Sequence, residues 1–184
     1  MTFSVCIFCG SSFGDDPRYT DAARETGVEI ARRGWTLVYG GARVGLMGVV
    51  ANAALDAGGR VVGVVPRFLY EREVGHDGIT SLEIVGSLTE RKLRMGELSD
   101  AFLSLPGGIG TLDELFEAWS WSQVGLQSKP SGLLNVAGYY DALVAFVERA
   151  TAAGFVKPQH RQWLSVSDDV GELLDRLRRQ SSPP

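Results

Sequence analysis

The sequence is short of cysteine and histidine and has no long hydrophobic run. Its 184 residues include 2 cysteines and 2 histidines. No apolar stretch approaches the roughly 20 residues that cross a bilayer, and the glycine or proline repeats of fibrous proteins do not occur. These absences exclude the membrane-spanning, collagenous and disordered classes. We expect a globular chain that does not bind a membrane.

Positive charge is also scarce. The sequence has 18 basic and 22 acidic residues, which gives a net charge of −4. Because proteins that bind nucleic acids gain most of their affinity by neutralising phosphates, this balance argues against a nucleic-acid partner. The N-terminus lacks a basic segment followed by an apolar stretch and a cleavage site. We therefore expect a cytoplasmic protein.

The two cysteines form a C-x-x-C pattern, Cys6 to Cys9. Such spacing occurs in redox and zinc sites. However, the surrounding run has the composition of a buried strand, in which residues three apart point to opposite faces. Structural zinc sites are four-coordinate, and only His76 and His160 could add ligands. We interpret both cysteines as core thiols and predict no metal site.

Short apolar runs alternate with helical patterns along the chain, which predicts an α/β fold: a mainly parallel sheet with helices on both faces. The length fits one domain, 3–180, with a flexible tail at 181–184. The charged segment 68–81 is predicted to be a loop over the sheet edge. The first helix should begin at Pro17, after Asp16 as N-cap, and end before Gly34. Strands are predicted at 4–8, 36–39, 60–65, 82–85, 101–105, 132–136 and 164–166, and further helices at 46–57, 89–98, 111–124, 139–153 and 169–179.

Three glycine-rich turns follow predicted strands, at 9–14, 40–48 and 106–111. The carboxyl ends of parallel strands form the ligand-binding edge of a sheet. Glycine lets backbone approach a ligand closely, and a helix N-terminus attracts anions. Strand-to-helix turns need glycine for geometry alone, but three at one edge favour a phosphate site that includes Gly10, Ser11 and Gly107. The turns match neither the dinucleotide fingerprint nor the P-loop, which disfavours redox chemistry with NAD and P-loop phosphoryl transfer.

A carboxylate and a guanidinium are expected near the third turn. Glu114 follows Thr111 with capping-box spacing, so it could be only a helix cap. Arg91 lies in an apolar helical stripe, because Leu88, Met95 and Leu98 fall within about 60° of it. A buried guanidinium needs an anion. That anion is either a phosphate or a carboxylate, and a purely structural Arg91–Glu114 pair stays open.

The stretch 106–114, preceded by Glu90, Arg91 and Lys92, resembles the paired motif of the "Lonely Guy" family. These proteins are cytokinin riboside 5′-monophosphate phosphoribohydrolases, long mislabelled as lysine decarboxylases. The segments 5–12, 39–48 and 129–140 are also similar to the family. The resemblance implies a Rossmann-like nucleotide-binding domain and a homodimer with the site near its interface. It further implies hydrolysis of the N-glycosidic bond of a nucleotide, cytokinin riboside monophosphates and AMP included.

By position in the motifs, the resemblance makes Arg91 and Glu114 the catalytic pair. It also implies substrate contacts for Glu73, Lys92, Gly108, Ile109, Gly110, Thr111, Leu112, Asp113 and Ser120. We expect no cofactor. A pyridoxal-phosphate decarboxylase needs a Schiff-base lysine, and neither Lys129 nor Lys157 lies in a suitable pattern.

Two alternatives to this enzyme stay open. The same turns could serve a nucleotide sensor that hydrolyses nothing, or an enzyme that acts on another phosphorylated sugar or nucleotide. Trp119 and Trp121 cannot share one helix face. We therefore expect one of them to contact a partner chain.

Overall fold

Seven strands pair in parallel in the computed structural model, which describes residues 2–181 apart from the side chains of Glu73 and Val74. The strand order is β4-β3-β2-β1-β5-β6-β7. Each predicted strand is present within two residues of its expected bounds. Numbered along the chain, they are β1 Ser4–Phe8, β2 Thr36–Tyr39, β3 Arg60–Pro66, β4 Ser81–Val85, β5 Ala101–Ser104, β6 Ser131–Leu134 and β7 Leu164–Ser167.

Helices connect the strands, as the alternating pattern predicts. The Asp16 side chain accepts a hydrogen bond from the Arg18 backbone N–H, which confirms the predicted start of the first helix. The helices are α1 Pro17–Arg32, α2 Gly45–Asp56, α3 Arg67–Leu69, α4 Leu88–Glu97, α5 Ile109–Gln123, α6 Asp141–Ala152, α7 Pro158–Arg161 and α8 Val170–Gln180, with a π-helix at Tyr70–Val74 and a 3-10 turn at Val136–Gly138.

Both faces of the sheet are buried, and successive residues of β1 show it. Val5, Ile7 and Cys9 belong to one hydrophobic cluster, whereas Cys6 and Phe8 belong to another on the opposite face. Both cysteines are free and buried, and burial raises the pKa of each thiol. The interpretation of Cys6 and Cys9 as core thiols is confirmed. Among the side chains that the structure describes, no three from histidine, cysteine or acidic residues are grouped to hold a metal.

The segment 68–81 is not the simple loop that the sequence predicts. It contains most of α3 and the π-helix, and it is anchored to the turn after β2. Ala42 and Gly75 form an antiparallel bridge, and the His76 backbone N–H donates to the Gly41 carbonyl. The charged composition of the segment gives no helical pattern, because its helical turns are stabilised by this tertiary contact.

The other differences are small. The α5 helix begins at Ile109, two residues before the predicted start, and α6 begins two residues late because a 3-10 turn precedes it. The predicted tail at 181–184 lies outside the described residues except for Ser181. Among the described helices, none is long and apolar enough to cross a membrane.

The chain order places a crevice at one position in the sheet. From the centre of the sheet, β1 to β4 follow one another towards one edge, and β5 to β7 follow one another towards the other edge. The loops after β1 and β5 therefore leave the sheet on opposite sides, and ligands of such sheets bind in the crevice between them.

Candidate active site

A cleft of about 590 Å³ occupies this crevice. It is bounded by the turns after β1, β2 and β5, by the end of β3 and the adjoining α3, and by the first two turns of α2, α4 and α5. Its lining residues are Cys9, Gly10, Ser11, Gly40, Ala42, Val44, Met47, Val65, Leu69, Arg91, Gly108, Ile109, Gly110, Thr111 and Glu114. All three glycine-rich turns reach the cleft, as the sequence predicts.

Glycines allow these turns to pack against one another. Gly45 has φ +55°, and a Cβ there would lie 2.2 Å from the Ser11 carbonyl carbon. A Cβ at Gly107 would lie 2.1 Å from the Thr111 Oγ1 atom and 2.8 Å from the Gly10 nitrogen. Any side chain at Gly45 or Gly107 would push the turns apart. The backbone of the first turn is therefore held between the second and the third.

The three turns differ in what their helices offer an anion. Among the described side chains, none caps the N-terminus of α2 or α5, and neither first turn contains an acidic residue. The N-cap of α5 is Gly108, at the cleft wall. In contrast, the Asp16 carboxylate caps α1. The uncapped N–H groups of α5 and α2 are suited to bind an anion, and those of α1 are not.

Arg91 and Glu114 face each other inside the cleft. The Arg91 Nη1 atom lies 3.5 Å from the Glu114 Oε1 atom, and the two side chains are 12% and 11% exposed. The Arg91 Nε–H group donates to the Val64 carbonyl at 3.2 Å. The sequence predicts an anionic partner for the inward-facing guanidinium, and the structure shows that the Glu114 carboxylate is one.

Topology explains why the two side chains meet. Each helix starts just after the preceding strand ends, so the first two turns of α4 and α5, which carry Arg91 and Glu114, both lie at the carboxyl edge of the sheet. Arg91 is inward-facing like the buried Met95, although Leu88, predicted on the same stripe, is 48% exposed. Because α5 begins at Ile109, Thr111 is not an N-cap and no capping box forms with Glu114. Glu114 is thus free to pair with Arg91.

The cleft changes the protonation of Glu114. Burial raises the pKa of this carboxyl to about 7, because the charged form loses hydration. Positive and negative neighbours act in opposite directions: Arg91 and Lys92 lower the pKa, whereas Asp113 and Glu117 raise it. A carboxyl that titrates near neutrality can hold or release a proton at physiological pH.

The predicted site residues divide between the cleft and its surroundings. Those at the cleft wall are Gly10, Ser11, Arg91, Gly108, Ile109, Gly110, Thr111 and Glu114. Gly107 lines an adjoining cavity of about 270 Å³, which shares Gly10, Ser11 and Gly108 with the cleft.

Four other predicted residues are not part of the cleft lining: Lys92, Leu112, Asp113 and Ser120. The Lys92 ammonium pairs with Asp113 at 3.0 Å and with Glu117 at 2.8 Å. Glu73 carries a side chain that the structure does not describe. The contacts of all the predicted site residues with a substrate, these five included, stay predictions.

Sequence reasoning missed the apolar part of the cleft. Val44 and Met47 lie within the second glycine-rich turn, so their position carried a usable signal. Val65 ends a strand run, and Leu69 lies in the segment predicted to be an edge loop. The sequence does not indicate that Leu69 lines the cleft, because its position depends on the contact of that segment with the turn after β2.

The two tryptophans of α5 have different surroundings. Trp119 is buried, and its indole N–H donates to the His160 carbonyl at 2.9 Å. Trp121 is half-buried, and its ring lies over Gly96 of α4. Trp119 therefore belongs to the core, and the expectation of a partner contact now concerns Trp121.

The fold and the cleft define an α/β protein with a ligand site at the switch point of a parallel sheet. The model of the family described as possible lysine decarboxylase matches residues 47–177. A probable cytokinin riboside 5′-monophosphate phosphoribohydrolase of Oryza sativa subsp. japonica is 49% identical over 94% of this chain and 76% of its own. The corresponding Arabidopsis thaliana phosphoribohydrolase is 43% identical over 94% of this chain and 81% of its own. The chain belongs to this family.

Solved structures share the architecture at lower identity. The molybdenum cofactor binding protein from Rippkaea orientalis has a TM-score of 0.75 and 20% identity, with 99% of both chains covered. The molybdenum cofactor carrier protein from Chlamydomonas reinhardtii has a TM-score of 0.72 and 20% identity, with 98% of both chains covered. At this identity the likeness concerns the fold alone, and it confirms the Rossmann-like single-domain prediction.

Proposed function

We propose that residues 3–180 form a nucleotide-binding unit that hydrolyses cytokinin riboside 5′-monophosphates, with AMP as a further substrate. The products are the free adenine-type base and ribose 5-phosphate. The observation that carries the proposal is the buried Arg91–Glu114 pair beside the uncapped N-terminus of α5. Relatives at 43–49% identity that bear this activity in their names support it.

The substrate phosphate binds at the third glycine-rich turn. Gly108 is the N-cap of α5, and the following N–H groups at Ile109, Gly110 and Thr111 precede the first intrahelical donor, Leu112. These groups and the helix dipole favour a dianionic ligand. Val44, Met47, Val65 and Leu69 line the same cleft and offer apolar surface to a purine. The cleft thus combines an anion site with a site for a base.

Glu114 acts at the ribose. In hydrolysis the C1′–N bond breaks and its electron pair leaves with the base, which takes up a proton. Water supplies oxygen to C1′ and loses a proton. Because positive charge develops on the sugar, as in glycoside cleavage, an ionised carboxylate stabilises the transition state or activates the water.

Arg91 supplies positive charge beside Glu114. Its guanidinium is held by the Val64 carbonyl and by Glu114. The guanidinium therefore orients the Glu114 carboxyl group and, by lowering its pKa, keeps a fraction of it ionised although the site is buried. Binding of the remote phosphate then fixes the ribose against this pair.

We further propose a homodimer through the outer face of α5. Ile109, Phe116 and Val124 are exposed, and their spacing places them on one side of the helix. Leu93 of α4 is also exposed. Exposed aromatic and aliphatic faces of this kind support association. Since Ile109 also lines the cleft, a partner at this face would adjoin the site.

The test of the activity is base release. The protein is incubated with AMP and with isopentenyladenosine 5′-monophosphate, and free base is measured by chromatography. The matching ribosides, which lack the phosphate, serve as controls and should react far more slowly. If nucleotides bind tightly and no base appears, the protein is a nucleotide sensor. If another phosphorylated sugar is cleaved instead, the substrate class is wrong.

A further inference from the structure

Gly40 lies against the guanidinium of Arg91. It follows β2 directly, and it lines the cleft together with Arg91 and Glu114. The neighbouring strand β3 supplies the Val64 carbonyl that accepts from Arg91 Nε–H. The guanidinium therefore lies across the carboxyl ends of β2 and β3.

A side chain at this position would occupy the place of the guanidinium. A Cβ built on Gly40 would lie 1.7 Å from Arg91 Nη2, 2.8 Å from Cζ and 3.3 Å from Nε. The three nearest atoms thus all belong to the same functional group. The backbone conformation of Gly40 does not itself require glycine, because its φ angle lies outside the left-handed region. The adjacent Gly41, with φ +72°, lies within that region. The backbone conformation at position 40 is therefore open to alanine, but the space that its methyl group needs is filled by the Arg91 guanidinium.

We infer that Gly40 is a positioning residue: because it has no side chain, it leaves the space in which the Arg91 guanidinium lies next to Glu114. This inference rests on the proposed function. The end of an arginine side chain can move without unfolding the protein. Because the native guanidinium contacts Val64 and Glu114 in its present position, we expect movement away from position 40 to break one or both of these contacts. The expected consequence of Gly40→Ala is a folded protein with a displaced guanidinium.

A crystal structure and kinetics of Gly40→Ala test the inference. We expect the Arg91–Glu114 separation to exceed the 3.5 Å of the native protein, and kcat to fall by about 10²-fold, as for misplaced catalytic groups. The melting temperature should stay close to the native value. Gly78→Ala is the matched control, because that Cβ would meet only the ring of His76 at 3.3 Å, outside the cleft. A guanidinium that keeps its native position beside the new methyl group would overturn the inference.

A double-mutant cycle separates positioning from a general structural role. Arg91→Lys removes the Nη2 atom, which would lie closest to the new methyl group, and ends the side chain at a single Nζ atom that can turn away from it. If Gly40 acts through Arg91, Gly40→Ala should lower kcat much less in the Arg91→Lys background than in the native one. An equal loss in both backgrounds would show that Gly40 acts elsewhere. Absence of base release by the native protein would refute the proposed function, whereas the crystal structure would still decide the position of Arg91.

Discussion

Arg91 and Glu114 form the inner ion pair between α4 and α5. Outside it, the next residue of α4, Lys92, pairs with Asp113 at 3.0 Å and with Glu117 at 2.8 Å. Neighbouring residues on a helix diverge in direction, so one pair lines the cleft and the other lies outside it. Burial raises the pKa of Glu114, and Asp113 is exposed. The same pairing of a cation with a carboxylate therefore provides a candidate catalytic pair in one place and a surface ion pair in the other.

Replacement of Glu114 by glutamine should lower turnover by orders of magnitude while nucleotide binding persists. The amide keeps the shape of the side chain but cannot carry the negative charge that opposes the developing positive charge on ribose. We expect kcat to fall by about 10²–10⁴-fold, measured as free base from AMP. Binding is measured by calorimetry. Glu148→Gln, which removes a carboxylate paired with Arg161 outside the cleft, should leave kcat unchanged. Near-native base release by Glu114→Gln would remove Glu114 from the mechanism.

Activity should depend on pH through Glu114. The pKa of this carboxyl is raised to about 7, so the ionised fraction grows as the pH rises through neutrality. If the ionised form is the active one, kcat/KM should increase from about pH 5.5 to a plateau above about pH 8, with its midpoint near the pKa. The profile is measured with AMP at constant ionic strength. A midpoint near pH 4.5, the ordinary value for glutamate, would show that burial does not govern this group.

The same raised pKa makes a prediction for stability. Between about pH 4.5 and 7 the folded state binds more protons at Glu114 than the unfolded chain does. The contribution of this group to the free energy of unfolding therefore falls as the pH rises through that range and stays low above it. Glutamine does not ionise, so Glu114→Gln should be more stable than the native protein at about pH 8, by about 1–3 kcal/mol. Urea unfolding at about pH 8 and about pH 5 measures the difference, which should shrink at the lower pH. A less stable variant at the higher pH would contradict the prediction.

The proposed dimer predicts a change of mass on substitution of Phe116. Aspartate at this position places a charge on the apolar face of α5 and should shift the protein towards the monomer. Sedimentation velocity at micromolar concentration measures this shift. Phe155→Asp changes an aromatic residue that is also exposed but lies after α6, and it should have no effect. A native protein that sediments as a monomer would refute the dimer.

Much of the fold follows from the sequence because its signals are local. Buried strands of a parallel sheet are apolar on both faces, and caps such as Asp16 mark helix starts within one turn. The segment 68–81 departs from its prediction because its helical turns depend on contacts with the turn after β2. Its local charge gives no indication of that contact.

The sequence by itself determined the parallel α/β architecture, the glycine-rich turns at one sheet edge and the need of an inward-facing Arg91 for an anion. Periodicity and residue chemistry suffice for these features, because each depends on neighbours along the chain. Only the tertiary structure decided that the Glu114 carboxylate meets Arg91 inside the cleft, that Leu69 reaches the cleft, and that Gly40 makes room for the guanidinium. These relations join residues from different strands and helices, and they depend on distances that sequence spacing does not encode.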